Sequence, residues 1–151
     1  MSYTTPTILR RAAHIVTNRG LHTGDQFAAS RHGALDACAA IYVAAHGFPV
    51  PPEFYTDEIA SIRLIECSAT AMQAISAISQ SLDTEPCFIE IAPGHTVPEH
   101  IEHVSNWAAT APIGSKVPPT TSEVIGRLLR TADHLYRSAS AEAPFVSHAA
   151  A

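Results

Sequence analysis

The stretch "ALDACAAIYVAAHG", residues 34–47, decides the fold. Its six alanines are interleaved with Cys38, Ile41, Tyr42 and Val43, and Asp36 is its only charged residue. A segment that is apolar nearly all round must be buried on every side, so it reads as a central helix. Alanine adds little girth, which lets neighbouring helices approach closely. Gly47 supplies the stop. The three prolines of "FPVPPEFY", residues 48–55, forbid continuation.

Amphipathic helices flank this centre. In "TTPTILRRAAHIVTNRG", Thr5 is the expected cap, Pro6 suits the first turn and Gly20 closes the helix. Ile8, Ala12, Ile15 and Val16 share one face, with Arg10, Arg11, His14 and Asn18 mostly off it. "LHTGDQFAASRHG", residues 21–33, reads as a loop. Thr56 is expected to cap a long helix over residues 57–79, with a bend near Cys67–Thr70 and a stripe of Ile59, Ile62, Ile65, Ala69, Met72 and Ile75. The last helix opens on Thr120 and Glu123, the spacing of a capping box. It continues through Val124, Leu128, Ala132 and Leu135.

Between these lie two shorter segments. "PCFIEIAPG", residues 86–94, is apolar and bounded by proline and glycine, so it reads as a strand or an extended loop without an evident partner. "TVPEHIEHVSNW", residues 96–107, reads as a short helix capped by Thr96, with Pro98 in its first turn and Glu99 closing the box. The expected architecture is therefore mainly α: a single domain over residues 1–138, four to five helices around the alanine-rich one, and little or no sheet. The C-terminal residues 139–151 read as a fraying tail. The expected core is Ile8, Ile15, Cys38, Ile41, Ile62, Ile65, Ile75, Trp107, Leu128 and Leu135.

Bulk composition agrees. A chain of 151 residues with 46% hydrophobic and 15% charged residues can form one domain with a full core. A net charge of −5 argues against nucleic acid, which calls for a basic stripe. No apolar run is long enough to span a membrane, and the N-terminus lacks the pattern of a signal peptide. Three scattered cysteines without a CxxC indicate reduced thiols and a cytoplasmic setting.

Nine histidines are an excess, and three of them fall between residues 95 and 103. His95, Glu99, His100 and His103 could furnish part of a tetrahedral site for zinc or another divalent metal. The order E-H-x-E-H, however, matches neither the H-E-x-x-H of zincins nor the paired E-x-x-H of di-iron bundles. The plainer reading is a solvated helix start with acids at its positive end, or a pH-responsive surface. Cys38 and Cys67 read as packing thiols rather than nucleophiles, and His32 with Asp36 as a local surface hydrogen bond. "GSK" at residues 114–116 lacks the upstream glycine and the order of a phosphate loop.

Three stretches carry a family resemblance: "ILRRAAHIVTNRGLHTGDQF" (8–27), "GALDACAAIYVAAHG" (33–47) and "HVSNWAATAPIGSKVPPTTSEVIGRLLRTADHL" (103–135). Together they resemble a family of small, mostly actinobacterial and actinophage proteins known only as domain of unknown function 6197. The resemblance implies a helical fold and an actinobacterial type of source, and no activity. Where family members show Asn-Asp after the tryptophan, this chain has Ala108-Ala109.

Three functional expectations follow. The first is a non-enzymatic interaction or regulatory protein, acting as a homodimer or with a protein partner. The second is a metal-dependent or histidine-based enzyme using the 95–103 cluster. The third is a small-molecule binding domain with a pocket lined by Tyr42, Phe54, Tyr55 and Trp107.

Overall fold

The computed structural model describes residues 2–142. Six α-helices and one hairpin make up the regular structure of these residues: α1 (Thr5–Arg19), α2 (Ala37–His46), α3 (Glu58–Glu66), α4 (Ala69–Ser81), β1 (Phe88–Ala92), β2 (His95–Pro98), α5 (His100–Ala109) and α6 (Thr121–Glu142). A 3-10 turn at Pro52–Tyr55 follows α2.

The alanine-rich helix is central, as its composition demands. Ala37, Cys38, Ala39, Ala40, Ile41, Val43 and Ala44 of α2 are all buried. Asp36 caps it, accepting from the Cys38 and Ala39 backbone N–H groups. The helix begins at Ala37 rather than Ala34 because the preceding residues are extended. Leu35 bridges Leu21 and Ala28, and the Asp36 N–H donates to the Phe27 carbonyl at 2.7 Å. The helix α1 packs along both α2 and α6, and α4 lies against α2 and α5.

Several local expectations are corrected. Thr4, not Thr5, caps α1 by accepting from the Thr7 N–H. Asp57, not Thr56, caps α3. The long helix is two helices. Ser68 stops the first and caps the second, accepting from the Ala71 N–H at 3.1 Å, because a serine hydroxyl offers the backbone an alternative to the helical ladder. His46 Nε2 also lies 2.6 Å from Ser68 Oγ, tying the end of α2 to the start of α4. The break resets the helical phase: Ile59 is exposed, and Ser61 and Ile65 face inward.

The helix count of four to five was low, and the expected strand has a partner. The strand β1 pairs antiparallel with β2, Phe88 opposite Pro98, Ile89 opposite Val97 and Glu90 opposite Thr96. Gly94 turns the hairpin with φ of 74°. Thr96–Pro98 of the supposed capping box are thus strand, and Glu99 precedes α5, which starts at His100 without a side-chain cap. Of the expected core, Ile62, Trp107 and Leu135 are only half-buried at its margin. The last helix runs to Glu142, past the expected boundary at 138, and residues 143–151 of the expected tail lie outside the described residues.

Candidate functional site

The helices α4 and α5 meet through hydroxyls and imidazoles. Ser79 Oγ is buried between two rings, 2.8 Å from His100 Nδ1 and 2.6 Å from His103 Nδ1. His103 Nε2 lies 2.8 Å from Thr84 Oγ1, and His100 Nε2 lies 3.5 Å from Ser76 Oγ. A serine hydroxyl has one proton, so its two ring neighbours must differ. A one-way relay satisfies every group: Ser76 donates to His100, His100 Nδ1–H to Ser79, Ser79 O–H to His103 and His103 Nε2–H to Thr84, or the same chain runs in reverse. All rings are neutral in it. Burial holds both imidazoles below their ordinary pKa. For His100 the neighbouring His103 adds to the effect, and for His103 a hydrogen bond with the Thr84 backbone opposes it.

Among the expected metal residues, the structure brings His100 and His103 together on Ser79. Glu99 lies beside Glu102, whose hydrogen bond raises its pKa, with burial and the charges of Glu102 and Glu66 adding to the rise. His95 stands apart, exposed on β2 opposite Ala92. Among the described residues, no three His, Cys, Asp or Glu side chains converge as metal ligands would.

The expected aromatic pocket is distributed differently. Phe54 is fully buried, 5.3 Å from the Tyr42 ring and 6.0 Å from Phe27. The Tyr42 ring lies tilted against His46, with centroids 4.5 Å apart. Tyr55 and Trp107 pack half-buried at the margin of the core. Two open clefts of about 400 and 420 Å³ lie elsewhere. The first runs along α3 between Asp57 and Cys67. The second joins the C-terminal end of α4 to the hairpin, lined by Ser79, Leu82, Thr84, Pro86, Phe88, Pro98 and His100 among others.

A second polar cluster is sealed in the core. Asp36 is buried, and its Oδ1 accepts from the Cys38 N–H at 2.7 Å, the Ala39 N–H at 3.4 Å and the Ser105 hydroxyl at 3.2 Å. Burial raises its pKa to about 6, against the opposing pull of those hydrogen bonds. The expected surface pairing with His32 is therefore replaced by an internal one, because the chain before α2 runs inward. Cys38 is a buried thiol whose pKa burial and the Asp36 charge push well up, which keeps it protonated.

Sequence reasoning passed over Ser76, Ser79 and Ser105. The available signal was serine at helical spacing within otherwise apolar faces, where a buried hydroxyl requires a partner.

A family model described as "Family of unknown function (DUF6197)" matches residues 1–134. The chain belongs to the DUF6197 family. The match takes in α1 through most of α6, so both polar clusters and the hairpin of this DUF6197 chain lie within it. No curated protein and no solved structure matches the chain. No helix among the described residues is long and apolar enough to cross a membrane.

Proposed function

We infer that this DUF6197 chain is a non-catalytic interaction protein, cytoplasmic and regulatory in role, whose contact surface is the 88–98 hairpin with its adjoining cleft. One observation carries the reading. Phe88, Ile89 and Ile91 are 60%, 43% and 58% exposed, on a strand every residue of which is exposed. Adjacent exposed apolar side chains mark an interaction surface more often than isolated ones do. A two-stranded hairpin is also marginal alone and gains from a partner. The partner is a second copy or another protein. The test is affinity capture and sedimentation with the wild-type chain beside a Phe88→Thr, Ile89→Thr, Ile91→Thr variant. The expected result is a specific complex or self-association that the variant loses. A wild-type chain that remains an inert monomer overturns the reading.

A second reading keeps the histidines as chemistry, with His100 and His103 serving a metal-dependent or histidine-based activity. What favours it is that His100 and Ser79 line the cleft beside the hairpin. Elemental analysis of untagged protein tests it: stoichiometric zinc supports it, and metal-free protein whose melting temperature is unmoved by added zinc removes it.

A further inference from the structure

The two edges of the hairpin are not equivalent. The Glu99 N–H donates to the Cys87 carbonyl at 2.8 Å, so Cys87 and Glu99 form a hydrogen-bonded pair. Bonded pairs alternate along an antiparallel ladder, which makes Ile89 with Val97 the next one. Phe88 and Glu90 therefore turn their N–H groups to the free side of β1, as Phe88 does its C=O, with the register shift between Glu90 and Ala92 ending the regular ladder there, and Thr96 and Pro98 face the free side of β2. Pro98 has no N–H, so the β2 edge is blunted. The β1 edge keeps outward donors at two alternate residues and an acceptor at Phe88. Its extensive contacts among the described elements are with β2 alone.

Side chains around that edge have a consistent chemistry. Phe88 and Pro98 form a cross-strand pair on one face and also line the 420 Å³ cleft, with Leu82 and Pro86. Asp83 and Glu85 stand on the cleft's rim, and Glu90 shares the face of Phe88. From residue 64 to residue 115 the chain has six acids (Glu66, Asp83, Glu85, Glu90, Glu99 and Glu102) and no lysine or arginine. The cation reaching this end of α4 is Arg127, which donates to the Ser81 carbonyl at 3.1 Å. An apolar cleft beside an open strand edge, rimmed by acids, is complementary to a chain that is extended, apolar and basic.

Resting on the interaction reading above, we propose that the β1 edge takes up an extended segment of a partner protein as an added strand. One of its apolar side chains enters the cleft over Phe88, and arginines or lysines two positions to either side of it, on the same face, meet Asp83, Glu85 and Glu90. Backbone hydrogen bonds to Phe88 and Glu90 supply register, and the cleft and the acids supply selectivity.

The probe is a blocked synthetic peptide repeating arginine-threonine-valine-threonine, which puts arginine and valine on one face, titrated into the full chain by fluorescence anisotropy at low salt. Saturable binding is expected. Methylating the peptide amide that faces the Phe88 carbonyl should weaken it by roughly fivefold, the effect of one lost backbone hydrogen bond. The same peptide with glutamate in place of each arginine should not bind. Glu90→Pro removes one outward donor and one charge without touching the β1–β2 ladder and should also weaken binding. If that variant fails to fold, the methylated peptide tests the same edge on wild-type protein. Equal binding of methylated and unmethylated peptides overturns strand addition and indicates adsorption to an acidic surface, leaving the interaction reading standing. Absence of saturable binding, or sedimentation showing a dimer that Glu90→Pro converts to monomer, overturns the basic partner. An inert monomer that captures nothing overturns the interaction reading itself.

Discussion

Replacing Asp36 by asparagine should change how stability depends on pH far more than it changes the fold. The carboxyl is buried, and its pKa is about 6 against an ordinary 3.8. A raised folded-state pKa means the native protein binds the proton more tightly than the unfolded chain. The associated stability is fully present below about pH 4 and is lost as pH rises through about 6. A difference of about two units corresponds to roughly 3 kcal/mol at neutral pH, an order-of-magnitude figure, of which about half is lost by pH 5. Asparagine keeps an oxygen for the Cys38 and Ala39 N–H groups and the Ser105 hydroxyl, and asparagine is as good a helix cap as aspartate. Asp36→Asn should therefore be close to wild type in acid and more stable than wild type by roughly 2–3 kcal/mol at pH 7.5, less whatever the new amide N–H groups lose by burial. The assay is urea denaturation of both proteins at half-unit intervals from about pH 4 to pH 8, reading the difference in unfolding free energy. A difference that stays flat across this range would show that Asp36 ionises as freely in the folded chain as in the unfolded one, and the burial argument would fail.

Four further outcomes follow. In the Asp36→Asn background the histidines dominate the acid side. The folded pKa values of His100 and His103 lie below 6.5, so their contribution is present above about pH 6.5 and is lost as pH falls, and denaturation of the variant should show stability declining in that direction. Ser79→Ala removes the hydroxyl shared by both rings and should destabilise by about 1–3 kcal/mol in denaturant, whereas Ser76→Ala, whose bond is 3.5 Å long, should cost under about 1 kcal/mol. Ser68→Ala loses both a helix cap and the partner of His46, and its melting curve should report about 1–2 kcal/mol. The threonine substitutions at Phe88, Ile89 and Ile91 should each leave unfolding free energy within about 0.5 kcal/mol, because these side chains are already exposed.

The helical skeleton was legible because it rests on local, periodic signals. A segment as apolar as residues 37–44 has few options besides burial, and Gly20 and Gly47 close their helices with φ near 87°. Caps were misplaced by one residue at Thr4 and Asp57 because adjacent polar residues offer equal chemistry, and only the backbone direction chooses between them. The hairpin was half-legible. "FIEIA" carries strand character, but its partner "HTVP", with the Glu99 that follows, also satisfies a capping-box pattern with proline at a tolerated helical position. Pairing with β1 settles the ambiguity, and that is a non-local contact. The histidine stretch was visible as an excess of residues, yet its partners Ser76, Ser79 and Thr84 lie 19–24 residues earlier. No spacing rule within residues 95–103 could name them.

The two polar clusters act on the same element. Ser105 fastens α5 to the cap of α2, and His100 and His103 fasten it to α4, so three residues within six positions anchor one ten-residue helix. The hairpin is continuous with that helix, since β2 ends at Pro98 and α5 begins at His100, and the intervening Glu99 also closes the ladder through Cys87. The position of β1 relative to the cleft is therefore fixed by how α5 is seated. The anchors respond to pH in opposite senses: acid protonates the imidazoles, which the neutral network resists, and neutrality ionises Asp36, which burial resists. As pH falls the imidazole anchors lose their contribution while the Asp36 anchor regains its own, so the two contributions to the seating of α5 change in opposite directions.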